Sequence, residues 1–161
     1  MREKEVRFVY EVFASVKGLG AGDAALMEKA RAVTATAYAP YSHFQVGAAA
    51  LLQNGQVVQG SNQENASFPV GLCAERVLLA AISSLYPQVA IHTMAISYHN
   101  LLGESKHPIS PCGICRQSLL EYEERLGHPI RLLLSGMEGK VFVIPQAALL
   151  LPLSFTSADL K

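Results

Sequence analysis

Three cysteines and one glutamate are the residues of this chain best suited to chemistry. Cys73 and Glu75 belong to the segment Cys-Ala-Glu-Arg, while Cys112 and Cys115 belong to Pro-Cys-Gly-Ile-Cys. A helix is predicted to begin at each segment, and a helix N-terminus lowers the pKa of a thiol and favours the thiolate that binds metal. Cys112 and Cys115 are three residues apart, so their sulfurs share one helix face. We therefore predict that the three thiolates bind one metal ion.

The number of cysteines indicates which kind of metal site this would be. A structural zinc site is closed by four protein ligands, whereas a catalytic site commonly has three and keeps one position for water. Three cysteines therefore favour catalytic zinc. Two alternatives stay open: His107, five residues before Cys112, could close a structural site, and free cysteines can simply be small core residues.

Glu75 is the candidate for proton transfer, because a carboxylate beside a catalytic zinc can relay protons. Residues two apart on an ideal helix point to nearly opposite sides. Glu75 can therefore face the metal only if Cys73 is the non-helical cap or the first residue of its helix. Capping of the first turn is the alternative role for this carboxylate. The order Cys-x-Glu, then Pro-Cys-x-x-Cys, is a variant of the zinc deaminase signature.

The elements that position these residues follow from hydrophobic periodicity, capping and turn signals. Asp23 is predicted to cap the first helix, and Asn54-Gly55 to form the turn of a hairpin. A further strand is possible near the N-terminus. The predicted elements are a helix over 23–37, hairpin strands over 45–52 and 56–61, a helix over 73–86, a strand over 90–98, a helix over 112–126, and strands over 130–134 and 141–144. This order predicts a three-layer α/β/α fold with a mixed central sheet of about five strands.

Composition limits the class of protein. The chain has 161 residues, half of them apolar, which fits a single domain over 1–161. Zero net charge without a basic run argues against a nucleic-acid partner. No apolar run is long enough to cross a membrane, and the first residues do not resemble a secretory signal. An odd number of cysteines fits a reducing compartment, so we expect a cytoplasmic protein.

Four segments resemble the cytidine deaminase family in order and spacing. They are YSHFQVGAAALL, GSNQENASFP, LCAER and SPCGICRQ, and the resemblance runs from about Tyr38 to the C-terminus. Within the family the sequence is similar to the small-subunit type with three cysteines. The resemblance implies a homotetramer with one Zn²⁺ per subunit, held by Cys73, Cys112 and Cys115, and Glu75 as the proton shuttle.

The same resemblance implies roles in substrate binding. Asn62 and Glu64 would hydrogen-bond the ribose hydroxyls, and Phe44 would line the nucleoside pocket. Ala74 would offer its backbone to the pyrimidine ring. Phe155 would stack on the base from a neighbouring subunit. The alternative is that the first two are ordinary turn residues and the two phenylalanines belong to the core.

The resemblance also implies that Arg76 hydrogen-bonds the thiolates, where a cation would offset their excess negative charge and raise the Lewis acidity of the metal. A surface charge is the alternative role for Arg76. The sequence departs from the common family pattern at Ser61, often cysteine, at Phe68, often tyrosine, and at Val77, usually threonine. None of these removes a group from the expected mechanism, although Phe68 lacks a hydroxyl that could serve the pocket or the subunit interface.

The expected activity is hydrolytic deamination of cytidine and 2′-deoxycytidine to uridine and 2′-deoxyuridine, with release of ammonia, as in pyrimidine salvage. A deaminase of another amino-pyrimidine nucleoside, such as blasticidin S, shares the zinc motifs, but Asn62-x-Glu64 favours a ribose. A non-catalytic protein stabilised by zinc is the alternative from a different class, with the metal closed by His107.

Overall fold

The structure, a computed structural model, describes residues 1–160 and contains one sheet flanked by three helices. Short 3₁₀ turns connect several elements. The strands are β1 Glu11–Phe13, β2 Phe44–Leu52, β3 Val57–Ser61, β4 Ile91–Asn100, β5 Arg131–Ser135 and β6 Val141–Ile144, and the helices are α1 Ala21–Val33, α2 Ala74–Leu85 and α3 Gly113–Leu126. None of the helices within 1–160 combines the length and apolar character needed to cross a bilayer.

The sheet is mixed, as predicted, and has six strands where about five were expected. The strand order is β1-β6-β5-β4-β2-β3, with β4 and β5 parallel and the other pairs antiparallel. The added strand, β1, has three residues and pairs with β6 at the edge. A strand this short has too few residues to establish a period of two, so its pairing with β6 defines it.

Helices cover both faces of the sheet, which confirms the three-layer architecture. On one face α1 packs Leu26, Met27 and Ala30 against Ala95 and Leu133 of the central strands. On the other face α2 and α3 enclose a larger core, to which they contribute Leu78, Leu79, Ile82, Leu119 and Tyr122. The residues that could do chemistry lie on these last two helices.

The first helix differs from its prediction at both ends. Gly20, not Asp23, is the N-cap residue, and helix α1 begins at Ala21. The carboxylate of Asp23 instead accepts two hydrogen bonds from the guanidinium of Arg131 on β5, at 2.8 and 2.7 Å. Helix α1 ends at Val33, because the next three residues tighten into a 3₁₀ turn. The prediction that Asp23 caps the helix was wrong, because its carboxylate is engaged in the ion pair with Arg131 of β5.

The predicted hairpin is present, and its turn depends on one glycine. Gly55 has a φ of 83°, and its N–H donates to the carbonyl of Leu52 at 2.9 Å. Asn54 is not among the residues with positive φ, so the turn is not the two-residue type that needs positive φ at both positions. A turn closed by a left-handed glycine joins β2 to β3.

Helix α2 approaches β3 closely at a second glycine. A Cβ atom on Gly60 would lie 2.9 Å from the backbone nitrogen of Leu78 and 3.1 Å from the carbonyl oxygen of Ala74. Real Cβ atoms do not approach backbone so closely, so only glycine lets the helix rest at this depth. The position of the first turn of α2, which carries Glu75, therefore depends on Gly60.

Candidate active site

The three cysteine sulfurs meet where α2 and α3 begin. Cys73 is the N-cap residue of α2 and Cys112 that of α3, and Cys115 lies in the first turn of α3. The Sγ atoms of Cys73 and Cys112 are 3.7 Å apart, those of Cys112 and Cys115 are 3.5 Å apart, and all three lie within 4.8 Å of one another. The predicted convergence of the three thiols is therefore present in the structure.

The thiols differ in exposure and in acidity. Cys115 is buried, Cys73 is half-buried and Cys112 is exposed. A hydrogen bond with Cys115, together with smaller contributions from Cys112 and Arg76, lowers the pKa of Cys73 to about 5 against the effect of burial. The same hydrogen bond and burial raise the pKa of Cys115. Cys73 thus becomes a thiolate more readily than Cys115.

Arg76 provides positive charge beside this cluster. Its Nη2 atom donates to the carbonyl of Gly71 at 2.7 Å, while its Nε atom is buried and has no hydrogen-bond partner within residues 1–160. The guanidinium lowers the pKa of Cys73 both by its charge and by hydrogen bonding. A buried donor without a partner beside a potential thiolate fits a site that carries excess negative charge. Soft sulfur donors, three in number and close together, fit zinc with one coordination position left over.

Glu75 satisfies the geometric condition set by the sequence. Cys73 has the extended backbone of a cap residue, with φ of −71° and ψ of 153°, so Glu75 is the second residue of α2. The side chain of Glu75 is buried and lines the same pocket as Cys73 and Cys112. Burial raises the pKa of Glu75, and the negative charge of Cys73 adds to this shift. Burial therefore favours the protonated form of this carboxyl group more than in water.

A pocket of about 390 Å³ opens above the cysteines. This volume is in the range of small-molecule sites. Two of the cysteines, Cys73 and Cys112, line it together with Glu75. The other lining residues belong to three segments, namely Val46 of β2, residues 62–65 with Phe68, Gly71 and Leu72 of the loop before α2, and Ile109 and Ser110 before α3. Helix N-termini, a carboxyl group and apolar walls therefore surround one cavity.

The two residues expected to contact ribose both line this pocket. Glu64 accepts hydrogen bonds from the backbone N–H groups of Tyr41 and Ser42, at 2.9 and 3.3 Å, which orient its carboxylate. Burial raises the pKa of Glu64, but the hydroxyl and N–H donors together hold it below its usual value. Asn62 bridges β2, accepting from the N–H of Val46 at 2.7 Å and donating to the carbonyl of Phe44 at 2.9 Å.

The structure does not bring the other predicted contact residues to the pocket wall. Phe44 stacks on Tyr98 with the ring centroids 4.8 Å apart, and Ala74, the first residue of α2, is fully buried. Phe155 is 60% exposed, and its carbonyl accepts a hydrogen bond from Gln117 at 3.0 Å. Phe155 is therefore not a core residue of the chain, and it lies outside the set of residues that line the pocket.

His107 is not a member of the metal-ligating group, although the sequence had left that role open for it. Its Nδ1 atom lies 3.2 Å from the hydroxyl of Tyr98, and within residues 1–160 the metal-ligating group consists of the three cysteines alone. Sequence reasoning did not identify Val46, Ile109 and Ser110 as pocket residues. Ser110 directly precedes the Pro-Cys-x-x-Cys motif, and this proximity to two cysteines was the sequence signal that could have identified it as a pocket residue.

An α/β domain with converging thiols and a buried carboxyl group in one pocket defines a candidate zinc-dependent hydrolase. Comparison with known proteins narrows this class. The family "Cytidine and deoxycytidylate deaminase zinc-binding region" matches residues 21–126. The chain belongs to this family, whose members are hydrolases that act on C–N bonds.

Relatives and solved structures agree with the family assignment. A cytidine deaminase from Halalkalibacterium halodurans is 37% identical over 125 residues, which cover 78% of this chain and 87% of that protein. One from Mycobacterium tuberculosis is 39% identical over 109 residues, covering 66% of this chain and 77% of the relative. The crystal structure of cytidine deaminase from Burkholderia pseudomallei superposes with a TM-score of 0.70 at 38% identity, covering 81% of this chain and 97% of that one.

Proposed function

We propose that this chain hydrolyses cytidine and 2′-deoxycytidine to uridine and 2′-deoxyuridine with release of ammonia. The observation that carries the proposal is the buried carboxyl group of Glu75, which shares a pocket with the cysteine cluster. The similar proteins named cytidine deaminase support the choice of nucleoside. In the overall reaction, water adds to C4 of the base. The bond between C4 and the exocyclic amino nitrogen then breaks to give a carbonyl group and ammonia.

Glu75 supplies the proton transfers in this proposal. As a carboxylate it takes a proton from the attacking water, and as a carboxylic acid it gives one to the ring nitrogen N3. It then carries the second proton of the water to the amino group, which leaves as ammonia. Its raised pKa favours uptake of a proton by the carboxylate, and the resulting carboxylic acid can donate that proton to a nitrogen of the base.

Cys73, Cys112 and Cys115 would hold one Zn²⁺ per subunit, and Arg76 would offset the charge of their thiolates. When bound, zinc supplies Lewis acidity and lowers the pKa of water so that a nucleophile is available near neutral pH. The exposed Cys112 is the N-cap residue of α3 and the buried Cys115 lies in the first turn, so one helix start would supply two of the ligands.

The nucleoside would be held by groups that surround the pocket. Glu64 and Asn62 would receive the ribose, because a carboxylate and an amide that are only partly used can make further hydrogen bonds. Phe44 would support this wall from behind through Asn62. Ala74 would present its backbone to the base beside Glu75, and Phe155 would stack on a base in a neighbouring subunit.

The remaining expectations concern the setting of the enzyme. We propose a homotetramer that acts in the cytoplasm in pyrimidine salvage, without nucleic-acid or membrane partners. Exposed apolar side chains around the pocket mouth, including Phe68 and Leu72, support association of subunits there. The substrate is therefore proposed to be a free nucleoside.

The test follows cytidine absorbance with the purified enzyme, with zinc content measured in the same samples. Glu75→Gln is expected to keep zinc and lose about 10²- to 10⁴-fold in kcat, the usual contribution of general acid–base catalysis. Glu104→Gln, at an exposed carboxylate outside the pocket, is the matched control and should behave as wild type. If zinc-loaded wild type leaves cytidine and deoxycytidine unchanged but deaminates blasticidin S, the proposed substrates are wrong and the enzyme is a deaminase of that other nucleoside. A fully active Glu75→Gln would contradict the mechanism.

A further inference from the structure

The connection between β4 and α3 forms one wall of the pocket. Ile109 and Ser110 line the cavity, and the chain then runs directly to Cys112. The first half of this connection is fixed at Ser105. Its hydroxyl accepts the N–H of Asn100 at 2.8 Å, and its carbonyl accepts the N–H of Glu138 at 3.3 Å. Ile109 and Ser110, which line the pocket, follow this anchor by four and five residues.

A second contact, between the aromatic side chains of His107 and Tyr98, attaches the connection to the sheet. The Nδ1 atom of His107 and the hydroxyl of Tyr98 share a hydrogen bond of 3.2 Å, with the ring centroids 5.7 Å apart. Tyr98 is 1% exposed. A buried tyrosine hydroxyl without a partner is costly, and His107 supplies that partner. The exposed connection is thus tied to the sheet two residues before Ile109.

Tyr98 also contacts the opposite side of the pocket. Its ring stacks on Phe44 at 4.8 Å with an interplanar angle of 13°, and in the strand pairing it lies opposite Val46, a pocket residue. The Asn62 side chain bonds the backbone of both these β2 residues. One buried ring therefore joins the wall before α3 to the strand that orients Asn62.

We propose that Tyr98 and His107 are positioning residues of the active site. Their hydrogen bond holds the Ile109–Ser110 wall at a fixed distance from Asn62 and so sets the width of the nucleoside pocket. Within residues 1–160 the hydrogen bond and ring contacts of the pair do not involve the cysteines or Glu75, so the pair acts on substrate binding and not on the chemical step. The role of the pair in nucleoside binding rests on the proposed deaminase function.

The test compares Tyr98→Phe, His107→Phe and the double variant for kcat and KM with cytidine. Each single variant removes the hydrogen bond and keeps a ring, so KM should rise about three- to tenfold, while kcat stays within about twofold of wild type. The double variant should be no worse than either single one, because both remove the same contact. His107→Asn keeps a polar group near the Nδ1 position and should restore much of the wild-type KM.

Two further measurements separate positioning from a general structural effect. His99→Phe is the matched control, because it places the same substitution on an exposed residue of β4 next to Tyr98, outside the nucleoside pocket. Hydrogen exchange of residues 105–111 should become faster in Tyr98→Phe and His107→Phe but not in His99→Phe. Zinc content should be the same in all of these proteins.

The outcomes distinguish this proposal from the proposed function. Unchanged KM in His107→Phe, additive effects in the double variant, or equal effects in His99→Phe would overturn the positioning role. Unchanged exchange at 105–111 would overturn it as well. If wild type does not deaminate cytidine, the proposed function fails, and the exchange measurements alone decide whether the pair anchors the wall.

Discussion

At the scale of single residues, this site depends on groups whose charges compensate one another. Three thiolates would carry more negative charge than one divalent cation offsets. Arg76 lowers the pKa of Cys73 and has a buried Nε that is unpartnered within residues 1–160. Its side chain is therefore placed to adjust the affinity of the cluster for metal.

Replacement of Arg76 tests this interpretation through metal binding alone. Arg76→Gln should weaken zinc binding by about 10- to 100-fold, as is usual for partners that contact metal ligands, because the thiolates lose a positive neighbour. Competition with a chromophoric chelator measures the affinity without any assay of activity. Arg125→Gln serves as the control, since Arg125 bonds Ser83 and covers Tyr122 away from the cluster. Equal zinc affinity in both variants and wild type would remove Arg76 from the metal site.

At the scale of elements, the site forms because two helices begin at one point. Cys73 and Cys112 are both cap residues with extended backbone, so their side chains project from the helix ends toward each other. The depth of α2 against the sheet decides whether Glu75 reaches the same point. That depth is set by the contact of Gly60 with the backbone of Ala74 and Leu78.

A methyl group at Gly60 should therefore displace the first turn of α2. Gly60→Ala is expected to lower the free energy of unfolding by about 1–3 kcal/mol, the usual cost of overpacking, and to reduce zinc affinity. Denaturant unfolding gives the first quantity and chelator competition the second. Gly22→Ala is the matched control, because nothing lies within 4 Å of a Cβ atom there, and α1 should become slightly more stable. A Gly60→Ala protein as stable as wild type would contradict the close approach.

At the scale of the whole molecule, a single chain leaves apolar side chains exposed both at the pocket, at Phe68, and on the C-terminal segment, at Phe155. Phe68 is 74% exposed and Phe155 is 60% exposed. Gln117 and Arg116 of α3 hold the segment that carries Phe155 by donating to the carbonyls of Phe155 and Leu150, at 3.0 and 2.9 Å. A fixed segment that presents an exposed aromatic ring suits a contact with another subunit.

Subunit mixing tests whether Phe155 serves a neighbouring pocket. Sedimentation of wild type should show a tetramer of the 17.3 kDa chain. Phe155→Ala and Glu75→Gln should each be impaired alone, because one lacks the stacking ring and the other the proton shuttle. Mixed and reassembled, they should regain activity in sites that combine an intact Glu75 with a neighbour's Phe155. An active monomer, or no recovery in a mixture shown to contain hetero-oligomers, would refute the shared pocket.

Local patterns were sufficient to predict most of the elements. The last two strands, β5 and β6, and the helices α2 and α3 begin and end within about two residues of their predicted bounds. Helix ends are predictable because cap residues and C-terminal glycines such as Gly127 determine them within one turn of the helix. The predictions failed where a distant partner decides. Asp23 was predicted as a cap but bonds Arg131 of β5, and the short β1 is a strand because β6 pairs with it.

The candidate site divides in the same way. Residue type and spacing alone led to Cys73, Glu75, Cys112 and Cys115, since thiol chemistry and helix periodicity are local properties. Only the tertiary structure placed His107 on Tyr98 and outside the metal-ligating group, and stacked Phe44 on the same tyrosine. Those outcomes depend on which side chains meet across strands and loops far apart in the sequence, and no local pattern encodes such contacts. The sequence by itself determined the chemical groups, and the packing of the sheet, helices and connections decided which of them share a pocket.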